Sequence, residues 1–301
     1  MGLLQIIEGI RLPFLDFLFG LITNLGEEEI ILVAICAAFW CINKLFAYRA
    51  GIVFFISSTT VQGAKITFRI DRPWVIDPDF NPVQSAMKRA TGYSFPSGHT
   101  QTAASLFGSL GAQFKRMPLK VIFFTIVILV AFSRMYLGVH TLADVLVSGV
   151  ITLFLVFIVF KFFHGEAAGT KPVFVISLFI VLYAIAVIIY ASILYSNGTI
   201  EQIYLTDCLK SSGAAIGFAV GMYIESAYIR FNVRAKNILS QIIKFVLGFA
   251  GVMIIKEGLK LVIGVNLVAD TVRYFLMLLW IIALYPLIIK RFFAVEQPAD
   301  K

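Results

Sequence analysis

The sequence predicts an all-α membrane protein, a polytopic transmembrane helical bundle with about nine spans. Of its 301 residues, 60% are hydrophobic and 14% are charged, whereas an average water-soluble domain has about 25% charged residues. The mean hydropathy is +0.92. The apolar residues form separate runs, and backbone groups inside a bilayer must bond within their own segment, so these runs predict helices.

Residues 1–25 predict an interfacial amphipathic N-terminal helix. Glu8, Arg11, Pro13 and Asp16 interrupt the apolar residues there, a pattern that favours a surface helix, with a short additional span as the alternative. The apolar runs that follow predict the spans, and they are 30–42, 50–67, 100–114, 119–132, 142–163, 172–195, 211–224, 238–263 and 267–289.

Loop charges predict the orientation. If the helices alternate across the bilayer, one face receives most of the cations and is therefore cytoplasmic. These cations are Lys44, Arg49, Lys115, Arg116, Lys120, Lys161, Lys171, Arg230, Arg234, Lys236, Lys290, Arg291 and Lys301. The opposite face receives Glu27, Glu28, Glu29, Glu201 and Asp207. We expect an integral protein of the plasma or inner membrane with its C-terminus in the cytoplasm.

Two connections divide the predicted bundle. The segment 69–95 is the only long polar connection in the sequence, and long loops in compact proteins often serve a site. Small and polar residues at 165–170 predict a flexible cytoplasmic link. The sequence therefore predicts a core of about five helices at 26–164 and an accessory bundle of about four helices at 165–301.

The composition disfavours two classes of function. The net charge of +8 arises from cations in short loops rather than in one patch, which argues against nucleic-acid binding. Cys36, Cys41 and Cys208 have no metal-ligand spacing, and His164 has no nearby ligand set. We expect no metal, no cofactor and no nucleic acid, and the sequence indicates no protein partner.

The first of three polar blocks places two cations near one helix end. Lys65 is followed seven residues later by Arg72, and two cations at one interface can bind an anionic headgroup. Cations near helix ends also snorkel or set topology.

The second block leads directly into an apolar helix. The amides of Ser97, Gly98 and His99 are expected to be free donors at a positive helix end, which is an anion-binding arrangement. Ser97 alone is also a common N-cap residue. A histidine beside bound phosphate can protonate a departing oxygen.

The third block contains Arg134, His140 and Asp144. His140 and Asp144 are four residues apart and share one side of a helix start. Asp144 can accept the proton of one imidazole nitrogen and leave the other as a nucleophile. A structural hydrogen bond is the alternative for such a pair, although ionisable residues in a membrane domain are functional candidates.

In order and spacing, the three blocks resemble the signature motifs of the type-2 phosphatidic acid phosphatase (PAP2) superfamily, which also contains glucose-6-phosphatase and the vanadium haloperoxidases. Lys65 to Pro73, Pro96 to His99 and Ser133 to Asp144 match at every motif position, and the resemblance extends from about Gly26 to His164. It implies that His140 is the nucleophile, Asp144 its orienting partner and His99 the general acid. The phosphate ligands that it implies are Lys65, Arg72, Ser97, Gly98 and Arg134.

These observations predict a membrane-bound lipid phosphatase. We expect it to hydrolyse phosphatidic acid, phosphatidylglycerophosphate or an undecaprenyl diphosphate on the extracytoplasmic side, through a phosphohistidine and without metal, with the membrane lipid as its partner. Two enzyme alternatives are hydrolysis of a soluble ester, as in the glucose-6-phosphatase branch, and transfer of the phosphoryl group to another acceptor. A transporter or flippase with a vestigial site is the alternative outside enzymes.

Charged residues of the C-terminal half are expected near the same face. Lys256, Lys260 and Arg273 could contact a headgroup, with internal ion pairing or snorkelling as the alternative. The three glutamates at 27–29 predict a solvated helix start.

Overall fold

The computed structural model of the chain describes residues 1–88, 90–165, 169–264 and 266–293. Within these ranges the regular structure is helical and includes no β-strand. The helices are α1 (Gly2–Glu8), α2 (Pro13–Asn24), α3 (28–42), α4 (Lys44–Phe68), α5 (Pro73–Ile76), α6 (Gln84–Met87), α7 (98–113), α8 (Met117–Tyr136), α9 (Leu142–Phe162), α10 (Thr170–Ser196), α11 (202–229), α12 (Ile238–Ile263) and α13 (Leu267–Phe292). The all-α prediction is confirmed.

Every predicted apolar run coincides with a helix, because helix formation is the one way for a single apolar segment to pair its own backbone groups in a bilayer. In the described part of the chain, five helices are long and apolar enough to cross a membrane, namely α8, α9, α10, α12 and α13. The other predicted spans form α3, α4, α7 and α11. Their crossing of the bilayer, and hence the count of nine, stays a prediction.

The N-terminal segment differs from the single helix that was predicted. It forms α1 and α2, with Pro13 at the start of α2, where proline is favoured because its missing N–H needs no partner. The residues between the two helices are held in place, since Arg11 Nε donates to the Tyr136 carbonyl at 2.8 Å and the Leu12 amide donates to the Tyr136 hydroxyl at 3.1 Å. The interfacial location stays a prediction.

The first compact unit contains Met1–Leu32, Ile52–Phe162 and Leu194–Tyr204. A buried cluster joins the N-terminal helices, the polar segment 69–97 and the turn between α8 and α9. Its fully enclosed members are Leu4, Ile7, Phe80, Ala86, Met135, Tyr136, Leu137, Val139 and Val145. This cluster fixes the α8–α9 turn, which carries part of the third polar block.

The second compact unit contains Val33–Gly51, Phe163–Ile193 and the described residues from Leu205 onward. Its interior includes a buried carboxylate, Glu225, which pairs with Lys44 at 2.9 Å and accepts a hydrogen bond from the Tyr48 hydroxyl. The sequence segments of the two compact units therefore alternate along the chain. The sequence-based limits of 26–164 and 165–301 stay a prediction, and residues 166–168 of the link between them lie outside the described residues.

Gly138 permits the α8–α9 turn. Its φ of +78° is in the left-handed region, and an added Cβ would lie 2.9 Å from Phe80 and 2.7 Å from Arg11. We expect Gly138→Ala to destabilise the fold by about 1–3 kcal/mol, because strain adds to the clash. Thermal unfolding in detergent measures the change.

Gly20→Ala is the matched control for this substitution. Gly20 lies inside α2, and beyond its own stretch of helix no atom of the described residues lies within 4 Å of its added Cβ. We expect the control to be neutral or slightly stabilising, since alanine favours helix over glycine by about 0.5–1 kcal/mol. Equal unfolding temperatures for Gly138→Ala and the unmodified chain would contradict the assigned strain.

Candidate active site

His140 lies in the turn before α9 and is 2% exposed. Its Nδ1 is 3.3 Å from Asp144 Oδ2. The same carboxylate oxygen accepts the Thr141 amide at 2.8 Å and the Ser94 hydroxyl at 2.5 Å. Because an ionised carboxylate only accepts hydrogen bonds, this contact assigns the imidazole proton to Nδ1 and leaves a lone pair on Nε2.

Arg72 reaches the other side of the same imidazole. Its Nη1 lies 3.0 Å from His140 Nε2 and donates to the Val139 carbonyl at 2.9 Å. Nε and Nη2 donate to the carbonyls of Gly92 and Thr91 at 2.9 and 2.8 Å. A guanidinium only donates, so its contact with Nε2 agrees with the tautomer set by the carboxylate. Arg72 therefore both organises the polar loop and places a cation beside the lone pair.

The start of α7 presents backbone amides, but fewer than expected. The Ser97 amide donates to the Asp144 carbonyl at 3.1 Å, so the prediction that it is free is wrong. The Ser97 hydroxyl is the N-cap and accepts from the Thr100 amide at 3.4 Å and the Thr100 hydroxyl at 3.0 Å. Gly98 and His99 occupy the first helical positions, whose amides have no acceptor inside a helix. The prediction of an anion-binding arrangement therefore rests on these two amides.

Arg134 and Lys65 supply the remaining positive charge. Arg134 is 2% exposed, and its Nη1 donates to the Thr23 hydroxyl at 2.6 Å. Among the described residues, its buried Nε has no hydrogen-bond partner. Lys65 is half-buried near the end of α4, and its positive charge disfavours protonation of both His99 and His140. The first unit thus gathers three cations around the two histidines.

Electrostatics favour a neutral His140. Burial lowers its pKa well below the ordinary value, and the charges of Arg72, Arg134 and Lys65 lower it further. Burial also lowers the pKa of Arg72, to about 10, while the charge of Asp144 opposes this change. Near pH 7 the site therefore contains an uncharged imidazole beside a charged guanidinium.

His99 has a carboxylate partner that the sequence did not reveal. Its Nε2 is 3.3 Å from Glu27 Oε1, and their side chains are 19% and 31% exposed. The expectation that Glu27 belongs only to a solvated helix start is therefore incomplete. An open cavity of about 610 Å³ borders Glu27 and is lined by Asn24, Glu27, Glu29 and Ile30.

Three more contributors were missed. Ser94 and Thr141 hold the Asp144 carboxylate, and Thr23 holds Arg134. Ser94 and Thr141 lie within a few residues of recognised blocks, so a search of the block flanks for hydroxyl groups could have found them. Thr23 and Glu27 precede the blocks by a long stretch of chain, and nothing in their local sequence marks them.

The candidate headgroup residues all belong to the second unit. Arg273 is 7% exposed and donates from Nη2 to Asp270 at 2.6 Å, as the ion-pairing alternative anticipates. Lys256 is half-buried and Lys260 is exposed. Headgroup contact by these three residues stays a prediction. Among the described residues, no group of three or more His, Cys, Asp or Glu side chains could hold a metal ion.

Sequence profiles of known families match two parts of the chain. The profile of the PAP2 superfamily matches residues 46–168. A second profile, described as the transmembrane extension of PAP2 superfamily phosphatases, matches residues 209–297. The first match includes all three polar blocks.

Curated relatives and solved structures match about half of this chain. Phosphatidylglycerophosphatase B of Bacillus subtilis (strain 168) is 30% identical over 164 residues, which is 50% of this chain and 76% of the relative. A probable sphingosine-1-phosphate phosphatase of Dictyostelium discoideum is 28% identical over 163 residues, which is 49% of this chain and 38% of the relative. LpxE of Aquifex aeolicus superposes with a TM-score of 0.47 at 26% identity, over 54% of this chain and 94% of that one. The transmembrane PAP2-type phosphatidylglycerolphosphate phosphatase of Bacillus subtilis gives 0.44 at 28% identity, over 54% and 82%.

Proposed function

Because this chain belongs to the PAP2 superfamily, we propose that it is a membrane phosphatase that hydrolyses a lipid phosphate or diphosphate through a phosphohistidine. The two contacts of the His140 imidazole carry the proposal. Asp144 holds the proton on Nδ1, and Arg72 lies beside the Nε2 lone pair. A neutral nucleophile next to a phosphate-binding cation is what attack on phosphorus requires.

Phosphate binding precedes the attack. Arg72, Arg134 and Lys65 offset the charge of the phosphoryl oxygens, and the amides of Gly98 and His99 donate to them at the positive end of α7. The Ser97 hydroxyl lies at the same end of α7, where Ser97 is the N-cap. When a phosphoryl oxygen accepts the Nη1 hydrogen of Arg72, the Nε2 lone pair of His140 is released from that hydrogen bond and faces the phosphorus atom.

The reaction then takes two steps. His140 Nε2 forms a bond to phosphorus while the bond to the leaving oxygen breaks, and protonated His99 gives a proton to that oxygen. Neutral His99 then removes a proton from a water molecule, whose oxygen attacks phosphorus and breaks its bond to Nε2. Inorganic phosphate leaves, and His140 is regenerated with its proton still on Nδ1.

A lipid substrate agrees with both kinds of relative. The Bacillus subtilis relative is named for phosphatidylglycerophosphate, and the Dictyostelium relative is named for sphingosine 1-phosphate. Helices that can span a membrane flank the α8–α9 turn, so a headgroup can enter from the bilayer while its acyl chains remain in lipid. We propose phosphatidic acid, phosphatidylglycerophosphate or a polyprenyl diphosphate as the substrate, with the site on the extracytoplasmic side.

Phosphate release by the detergent-purified full chain tests the proposal. The panel contains phosphatidic acid, phosphatidylglycerophosphate, sphingosine 1-phosphate, a polyprenyl diphosphate and glucose 6-phosphate, each with EDTA. We expect release from at least one lipid and little from glucose 6-phosphate. Release from glucose 6-phosphate alone would favour a soluble ester, and transfer of labelled phosphate to an added alcohol in place of water would indicate a phosphotransferase. No release from any substrate would overturn the proposal.

Gly98 provides a test of the phosphate-binding amides. Beyond its own stretch of helix, no atom of the described residues lies within 4 Å of its added Cβ, so Gly98→Ala leaves the packing intact. The methyl group would occupy space that a phosphate bound at the start of α7 needs. We expect kcat/KM to fall at least about tenfold with an unchanged unfolding temperature, since a phosphate held away from these preorganised amides loses their stabilisation in the transition state.

Gly149→Ala is the control for this prediction. Gly149 lies in α9, and its added Cβ would meet only ordinary contact, 3.8 Å from the Thr100 methyl group. We expect activity within twofold of the unmodified chain. Inhibition by inorganic phosphate should weaken in Gly98→Ala and not in Gly149→Ala. Equal inhibition of the two variants would argue against binding at these amides.

A further inference from the structure

The approach of Glu27 to His99 is built into the backbone. Glu27 follows Gly26, and an added Cβ on Gly26 would lie 2.8 Å from the His99 carbonyl oxygen and 3.0 Å from Val130. A side chain larger than hydrogen would push this segment away from the start of α7. Glycine therefore allows the segment before α3 to bring the Glu27 carboxylate within 3.3 Å of His99 Nε2.

The surroundings of His99 otherwise oppose its protonation. The charged groups that act on the His99 imidazole are Arg134 on α8, Lys65 on α4 and Glu27 before α3. His140 lies nearby in the α8–α9 turn. The pKa of His99 lies below its ordinary value, because burial lowers it most and the charges of Arg134 and Lys65 lower it further, while the hydrogen bond to Glu27 and the Glu27 charge partly offset them. Glu27 is thus the one group in this set that favours imidazolium over imidazole.

We propose that Glu27 is a positioning residue whose carboxylate favours the protonated form of His99, the form that donates to the leaving group. The inference rests on the proposed function, in which His99 is the general acid. The cations proposed to bind phosphate also repel a proton on the neighbouring imidazole, and a carboxylate beside that imidazole offsets this repulsion before the substrate binds. Glu27 supplies that negative charge from a segment outside the three polar blocks.

The protonation state of His99 is expected to control how kcat/KM depends on pH. A general acid works in its protonated form, so its pKa sets the basic limb of the kcat/KM profile. Glu27→Gln removes the negative charge and lowers that pKa, so the basic limb should move to lower pH by about one unit. At pH values below the basic limbs of both proteins, kcat/KM of Glu27→Gln should stay near that of the unmodified chain. At pH values above both basic limbs, it should be about tenfold lower.

The activity test compares three variants of the full chain. Glu27→Gln should shift the basic limb of the profile to lower pH. Glu27→Asp should shift it less, and Glu28→Gln should leave the profile unchanged. Glu28 is the matched control, since it carries the same charge one residue along and its side chain is exposed. Combining Glu27→Gln with His99→Asn should add no further loss, because the effect passes through His99. A uniform loss at every pH would indicate a structural role and overturn the inference.

NMR of the histidines provides a readout independent of turnover. The chain has three histidines, so signals from histidine-labelled protein can be assigned with His99→Asn and His164→Ala. We expect Glu27→Gln to lower the His99 pKa by about one unit and to leave His164 unchanged. An unchanged His99 pKa would overturn the inference even if the enzyme is active. If no phosphate is released by the unmodified chain, the proposed function fails, and this titration still decides whether Glu27 holds the proton on His99.

Discussion

We expect His140→Ala to lower kcat/KM at least about 10⁴-fold, which is ~5.5 kcal/mol of transition-state stabilisation. The substitution removes the imidazole that the proposed function assigns as the nucleophile. Arg72 loses one contact but keeps its hydrogen bonds to the carbonyls of Val139, Gly92 and Thr91. The polar loop should therefore stay in position, and the loss should be chemical. Phosphate release and thermal unfolding, measured side by side, separate the two effects.

Rapid quenching with labelled substrate tests the covalent step itself. Phosphohistidine is labile in acid and stable in base, so we expect base-stable label on the unmodified chain and none on His140→Ala. His164→Ala is the matched control, since this exposed histidine belongs to the second unit. It should retain both label and activity. Label that persists in His140→Ala would assign the nucleophile to another residue, and activity within tenfold would exclude the phosphohistidine route.

The fold was predictable to the extent that a bilayer restricts the backbone. Each apolar run became a helix, because an isolated segment in lipid has no other way to satisfy its amides and carbonyls. The N-terminal segment was the exception, since it divides into α1 and α2. Arg11, expected within a single interfacial helix, instead lies between α1 and α2 and donates to the Tyr136 carbonyl. That contact joins residues far apart in the chain, so helical periodicity could not reveal it.

The site was predictable where its members are close in sequence. His140 and Asp144 meet because four residues make one helical turn, and Arg72 reaches them through the polar loop. Glu27 and Thr23 join them through packing on α7 and α8, with no local pattern to mark them. The Ser97 amide shows the opposite error. Its position before a helix indicated a free donor, but the Asp144 carbonyl accepts from it.

We expect Asp144→Asn to reduce kcat/KM by about 10²–10³-fold while the unfolding temperature changes little, because a neutral residue no longer stabilises the positive charge that His140 gains on bonding to phosphorus. The present Oδ2 accepts from His140, Thr141 and Ser94. An asparagine can place its amide oxygen at this position and accept from the same three donors, so His140 keeps its proton on Nδ1 and its lone pair on Nε2. The substitution therefore removes the charge and keeps the tautomer, and phosphate release measures the effect.

Ser94→Ala separates loss of the Asp144 charge from loss of a hydrogen bond to that carboxylate. It removes the 2.5 Å contact to Oδ2 but leaves the negative charge opposite Nδ1, so kcat/KM should fall only about tenfold. A loss as large as that of Asp144→Asn would mean that the carboxylate acts through its position rather than its charge. Conversely, Asp144→Asn activity within tenfold of the unmodified chain would mean that the charge contributes little and that the tautomer is enough. In that case an acceptor opposite Nδ1, together with the Arg72 contact at Nε2, would prepare the nucleophile.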